Sequence, residues 1–207
     1  MDGVLVDTGE FHFRAWQRIL GEMGKDLSRD EFLERFGMKS VDILRETLGD
    51  RSPEELRALA ARKEGYYREE IGGNVKPLPG ARTILESLQR AGFRQALASS
   101  APLINIDLIL EAIGIRPFFD AVVSGDEVRA GKPDPEIFLE ASRRLGIEPP
   151  ACVVIEDAIP GVMAAKSAGM HCVAVTNSHA ADDLSAADII VDSLEHLSPG
   201  MLEKLLV

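Results

Sequence analysis

The stretch Cys152-Val153-Val154-Ile155-Glu156-Asp157 is an apolar run that ends in two acids, and Ala158–Ala168 behind it reads as a helix. His171-Cys172-Val173-Ala174-Val175 follows as a second apolar run. Strand, helix, strand, with no polar alternation in either strand, is the pattern of parallel neighbours buried on both faces. The same grammar extends backwards. Helix Ala81–Ala91 leads through Gly92 to strand Phe93–Ala98, helix Leu103–Ile113 leads to strand Ala121–Val123, and helix Pro135–Leu145 leads to the strand at Cys152. Forwards, a short strand Ile189–Val191 and a last helix from Leu194 close the chain. The expectation is an α/β fold, one parallel sheet with helices on both faces, and a ligand site beyond the carboxyl ends of its strands.

The amino-terminal part breaks this alternation. Met1–Asp7 reads as the end of a strand followed by a turn, and Thr8 to about Gly72 is helical throughout. Phe11, Ala15, Ile19 and Leu20 recur at helical spacing. Ser28 with Glu31 forms a capping-box pattern, and a third helix covers roughly Val41–Leu48. Ser52-Pro53-Glu54-Glu55 offers a cap followed by proline at the first helical position. Residues 8–75 are therefore expected to form an all-helical cap, inserted after the first strand of a core made of residues 1–7 and 76–207.

Composition narrows the classes. The chain has 207 residues, and 23 Lys+Arg against 34 Asp+Glu leave a formal charge of −11. An acidic chain of this kind is poorly suited to a phosphate backbone, so no nucleic-acid partner is expected. No apolar run approaches the ~18 residues of a membrane span, and the opening residues are not a signal peptide. Cys152 and Cys172 both fall in apolar runs and read as reduced core thiols of a cytoplasmic protein.

The chemistry collects at the strand tips. Asp2-Gly3, Ser99-Ser100, the loop Gly131-Lys132-Pro133-Asp134 and Glu156-Asp157 are far apart in sequence, but a parallel sheet brings them to one rim. Singly, each has an ordinary explanation: a turn, a helix cap, a solvated lysine, acids at a helix start. Together they place carboxylates, a hydroxyl and an ammonium in one small space, the donor set of a hard divalent cation and a phosphate.

In this order, Met-Asp-Gly-Val-Leu, Ala-Ser-Ser, Gly-Lys-Pro-Asp-Pro-Glu-Ile-Phe and Val-Ile-Glu-Asp-Ala-Ile-Pro-Gly-Val-Met-Ala-Ala resemble the four motifs of the haloacid dehalogenase superfamily. Asp7–Trp16 and Arg62-Lys63 resemble the cap of its β-phosphoglucomutase-like, sugar-phosphatase branch. The resemblance implies a Rossmann-like core and phosphoryl transfer through an aspartyl-phosphate. It gives Asp2 the general acid/base role, with a pKa moved toward working pH, and gives Ser99 and Lys132 the transferring phosphoryl group. Mg²⁺ would be held by Asp2, through its main-chain carbonyl, with Glu156 and Asp157. His12, Gly37, Lys39, Lys63 and Ser100 would face the substrate, His12 touching the acid/base carboxylate. Without the resemblance, His12 and Lys63 read as solvated and Trp16 as cap core.

Two departures bear on activity. The nucleophilic aspartate belongs two positions before Asp2, one ahead of Met1, so the chain as given is expected to turn over little or nothing; a start at an internal methionine is favoured over a protein that does without the nucleophile. Ser40 and Ala101-Pro102 stand where the branch's mutases carry an arginine and a Ser-Lys pair that grip a second phosphate, which favours phosphatase over mutase. The alternatives are a hexose-phosphate mutase and a non-catalytic phosphometabolite-binding protein; dehalogenation has no use for the acid pair. The expected partner is a small phosphorylated metabolite, and the expected state is a monomer or weak dimer.

Overall fold

The computed structural model describes residues 1–206. The amino-terminal block contains α1 (Gly9–Gly21), α2 (Arg29–Arg35), α3 (Ser40–Leu48) and α4 (Pro53–Ile71). The expected capping box at Ser28 is present, and the expected cap at Ser52 proves to be a second one: the Ser28 and Ser52 hydroxyls accept from the amides of Glu31 and Glu55, whose carboxylates return to the serine amides. Helices α1 and α4 pack together around Phe13, Trp16, Ile19, Leu20, Leu44 and Leu56, a cluster that Ala158 joins from outside the block.

The remainder alternates as expected: α5 (Ala81–Arg90), β1 (Ala96–Ser99), α6 (Leu103–Ala112), β2 (Ala121–Ser124), α7 (Glu136–Leu145), β3 (Val153–Glu156), α8 (Ile159–Ser167), β4 (His171–Val175), β5 (Ile189–Val191) and α9 (Pro199–Glu203). The last helix is shorter than expected, since Leu194–His196 forms a separate 3₁₀ turn before it. All ladders are parallel, with Ala96 opposite Ala121, Val153 opposite His171 and Val173 opposite Ile189. Cys172 is buried in β4, whereas Cys152 falls one residue ahead of β3 and is half-buried; both are free thiols.

The α/β class with parallel strands is as expected, but the ladder is interrupted: among the described residues the strands form two sheets, β1-β2 and β3-β4-β5, and no ladder joins β1 to β3. Residues 1–6 supply no strand to stand between them. They turn tightly, with the amides of Val4, Leu5 and Val6 directed at the Met1 carbonyl, and make only bridges, Asp2 with Val6 and Val6 with Pro77. Hydrophobic contact nevertheless spans both sheets, since Val4 and Leu5 share one cluster with Leu97, Val173 and Val175. Among the described residues no helix is long and apolar enough to cross a membrane.

Candidate active site

The carboxyl ends of β1 and β3 open on a cleft of about 60 Å³ between the sheets and the helical block. Asp2, Ser99, Ser100, Lys132, Glu156 and Asp157 line it from below, and His12, Gly37 and Lys63 from above. All but one of the residues expected at a site are therefore gathered.

Lys132 sits at the floor, 5 % exposed, with its ammonium on the Glu156 carboxylate and 4.7 Å from the centre of the Phe138 ring. Glu156 also accepts the amide of Asp157 at 3.0 Å. Burial alone would push the Glu156 carboxyl up, but Lys132 and the Met1 ammonium outweigh it and hold it below the usual range. Asp157 lacks such a partner. Burial and the adjacent Glu156 charge push it up to about 7, against the pull of the Ser178 hydroxyl that it accepts. Backbone geometry makes the room: Gly3 has φ +70, and a Cβ there would lie 1.8 Å from an Asp157 oxygen. A Cβ at Gly161 would lie 2.2 Å from the Glu156 carboxyl carbon, so the first turn of α8 can press against that acid only as glycine.

Asp2 hangs between floor and roof. One of its oxygens accepts Thr8 Oγ1 at 2.5 Å and lies 3.5 Å from His12 Nε2 and 3.4 Å from the Tyr67 hydroxyl. Burial favours the neutral acid, but the hydrogen bond and charge of His12, then the Met1 ammonium and Thr8, win and keep Asp2 below the usual carboxylate range. This runs opposite to the upward shift expected of an acid/base group. In this arrangement Asp2 is held as a carboxylate.

Lys63 is 2 % exposed rather than solvated. Its Nζ lies 2.8 Å from His12 Nδ1 and 3.0 Å from Glu64 Oε1, with the Trp16 ring face 5.0 Å away. Glu64 accepts the Ser40 hydroxyl at 2.5 Å and the Asn105 amide at 2.7 Å. His12 is buried as well, stacked on Tyr67 at 3.9 Å between centroids. Lys39 is the exception to the gathering: its ammonium donates to the Val128 carbonyl at 2.8 Å and it does not line the cleft.

A family model described as haloacid dehalogenase-like hydrolase matches residues 1–169. The chain belongs to the haloacid dehalogenase-like hydrolases. It is 33% identical over 207 residues to a 5-amino-6-(5-phospho-D-ribitylamino)uracil phosphatase of Arabidopsis thaliana, covering 99% of this chain and 56% of that protein. The chain thus spans little more than half the length of that relative. It is 35% identical over 174 residues to a phosphorylated carbohydrates phosphatase of Thermotoga maritima, covering 83% and 80% of the two chains. The crystal structure of β-phosphoglucomutase from Clostridium difficile superposes with a TM-score of 0.88 at 29% identity, covering 99% of this chain and 93% of that one.

Sequence reading of this haloacid dehalogenase-like hydrolase passed over Thr8, Tyr67, Glu64, Asn105 and Ser178. Two signals were available. Tyr67 is four residues from Lys63, hence on the same face of α4. Ser178 lies just past the tip of β4, where the strand-end rule that found Ser99 applies equally. Nothing local marks Asn105, which reaches Glu64 across 41 residues.

Proposed function

We propose that this site hydrolyses small phosphate monoesters, sugar phosphates in kind, and that residues 8–75 work as a cap over a core of 1–7 and 76–207. The observation that carries this reading is the convergence of Lys132, Ser99 and the Asp2–His12 pair on one cleft with the Glu156–Asp157 acids. Ser99 and Lys132 would hold the oxygens of the transferring phosphoryl group. Asp2 would protonate the leaving oxygen on the way to an aspartyl-phosphate and deprotonate the attacking water on the way out. In the family's pattern the nucleophilic aspartate belongs one position ahead of Met1.

The acid pair fits a hard cation. Two adjacent buried carboxylates share a single lysine, and the second is pushed up to about 7 by burial and by the charge of the first. Glu156, Asp157 and the Asp2 carbonyl are oxygen donors of the kind Mg²⁺ takes. Bound there, Mg²⁺ would supply charge neutralisation to the phosphoryl oxygens. Because the folded pKa of Asp157 is raised, its contribution works against folding once it ionises. The cation-free chain is expected to lose stability as pH rises from about 4, the ordinary carboxylate value, through about 7. Millimolar MgCl₂ should flatten that slope, and Asp157→Asn should abolish it. Thermal melts from pH 5 to 8.5 check both; equal slopes with and without MgCl₂ would remove Asp157 from the metal set.

The roof favours a monophosphate over a bisphosphate. Lys63 is neutralised by Glu64, Lys39 is engaged with Val128, and Arg35 is bonded to the Glu31 carbonyl and 3.5 Å from Glu46. Each of these cations is already partnered, while the Ser40 hydroxyl and the Glu64 carboxylate line the same cleft and would suit a sugar's hydroxyls. A cleft of 60 Å³ is also too small for a sugar phosphate, against the ~300 Å³ or more of ligand pockets, so the cap must lift to admit one. The Arabidopsis and Thermotoga relatives are both phosphatases, in agreement with this reading. The test uses a chain extended by an aspartate ahead of Met1, given β-glucose 1-phosphate, Mg²⁺ and a trace of hexose bisphosphate. Free phosphate without glucose 6-phosphate is expected. Accumulating glucose 6-phosphate would make the protein a mutase, and substrate binding with neither product would make it a phosphometabolite-binding protein.

A further inference from the structure

Helix α6 buries one polar side chain among apolar ones: Asn105 is fully buried in company with Ile106, Ile109 and Leu110. A buried amide is costly unless its donors and its acceptor are met. Both side-chain partners of Asn105 come from α4 of the helical block. Its Nδ2 donates to Glu64 Oε2 at 2.7 Å, and its Oδ1 accepts from Arg68 Nη1 at 2.7 Å. Glu64 and Arg68 are four residues apart, one turn along the same face of α4. With a carboxylate on one side and a guanidinium on the other, only this orientation of the amide is satisfied.

Glu64 passes the constraint on. It is buried too, and its other oxygen, Oε1, accepts the Ser40 hydroxyl from the start of α3 and the Lys63 ammonium. Lys63 in turn meets His12 Nδ1, and His12 Nε2 faces Asp2. The series Asn105, Glu64, Lys63, His12, Asp2 leaves the core at α6, crosses the helical block and returns to the core at the cleft. No link in it exceeds 3.5 Å. Asn105 itself does not line the cleft, whereas the other four residues do. It can reach the chemistry only through Glu64.

We propose that Asn105 is a positioning residue for this cleft. Its amide fixes the Glu64 carboxylate relative to the core, and Glu64 sets where Lys63 and His12 stand over Asp2. Without that amide, Glu64 keeps Ser40 and Lys63 but loses the hydrogen bond that ties it to the core among the described residues. The roof is then free to shift against the floor, and a misplacement of about 1 Å can cost ~10²-fold in rate. The expected loss of turnover rests on the phosphatase reading, whereas the expected shift of the roof does not.

Two variants separate positioning from simple packing. Asn105→Leu keeps the size of the side chain and removes its donors and acceptor. Asn105→Asp combined with Glu64→Gln reverses the contact: the donor moves to α4, the acceptor to α6, and Arg68 and Lys63 each keep an oxygen to bind. Trp16 is the chain's single tryptophan, buried at the cleft with its ring face 5.0 Å from Lys63 Nζ, so its fluorescence reports on the roof. Acrylamide quenching of Trp16 in residues 1–207 is expected to rise about twofold or more in Asn105→Leu, and to fall back by the larger part in the reversed pair. In chains extended by an aspartate ahead of Met1, Asn105→Leu should lower kcat on a sugar monophosphate about tenfold or more, with KM changed less than about threefold. The reversed pair should recover the larger part of that loss as well. Asn105→Ala gives the same answers if Asn105→Leu does not unfold cooperatively. Quenching that ignores the loss of the amide, or a reversed pair no better than Asn105→Leu, would overturn the proposal. So would a quenching response with kcat unchanged, which would reduce Asn105 to a packing contact. An extended parent chain without turnover sinks the phosphatase reading alone, since the quenching series still decides whether Asn105 places the roof.

Discussion

Placing four or five apolar residues and an aspartate directly ahead of Met1 is expected to do two separable things to this chain. First, the melting temperature rises by about 10 °C or more. Met1 lines the cavity between β1 and β3, so a preceding segment enters the cavity directly and buries its side chains against Val4, Leu85, Leu88 and Phe138. Each buried Val or Ile is worth ~1.5–3 kcal/mol, and a chain of this size gains about 2–4 °C per kcal/mol. Second, Mg²⁺-dependent release of phosphate from sugar monophosphates rises by about 10³-fold or more over residues 1–207, because a carboxylate now stands beside Ser99, Lys132 and Asp2. The extension with asparagine in place of aspartate should keep the thermal gain and lose the turnover. Calorimetry and a phosphate-release assay on both extended chains decide it. A thermal gain without turnover would mean that the added segment fills the cavity while the hydrolase reading falls, whereas turnover without thermal gain would uphold that reading and leave the cavity unfilled.

Much of this site was legible because its chemistry sits at the ends of apolar runs. Val153–Ile155 and His171–Val175 announce themselves as buried strands, and the residue after such a run is forced to the rim, which is how Ser99, Glu156 and Asp157 were found. The capping boxes at Ser28 and Ser52 were equally local, because a serine and a glutamate three residues apart satisfy each other. What stayed hidden depends on partners distant in sequence. Lys63 reads as solvated until His12, 51 residues away, and the Trp16 face are folded against it. The direction of the Asp2 shift was missed for the same reason: burial pushes upward, but the sign is set by His12 and Thr8 in the facing helical block. The α/β class was legible from the same runs, although apolar runs specify strands and not which neighbours touch: β1 and β3 face each other across a cavity and do not pair.

The floor of the site is also its most vulnerable structural element. Lys132→Met is expected to destabilise the fold by about 3 kcal/mol or more in denaturant unfolding at pH 8, out of proportion to a conservative change in shape. The reason is Glu156, which lies buried with Lys132 as its ammonium partner and with Asp157 beside it. Removing one member of a buried pair strands the other, at a cost of ~3–5 kcal/mol. The loss should depend on pH with a definite sign. In the unaltered chain Glu156 is held below its ordinary pKa, so its contribution is present above about pH 4 and is lost as pH falls. Without Lys132, burial and Asp157 push Glu156 upward instead, and the variant should be most stable near pH 5 and weaken toward pH 8. Glu156→Gln combined with Lys132→Met takes away the stranded charge and should recover most of the loss at pH 8, while Glu156→Gln alone strands the lysine. If Lys132→Met costs under 1 kcal/mol and shows no pH slope, the pair does not anchor the floor, and Lys132 is free to leave Glu156 for a phosphoryl oxygen without structural consequence.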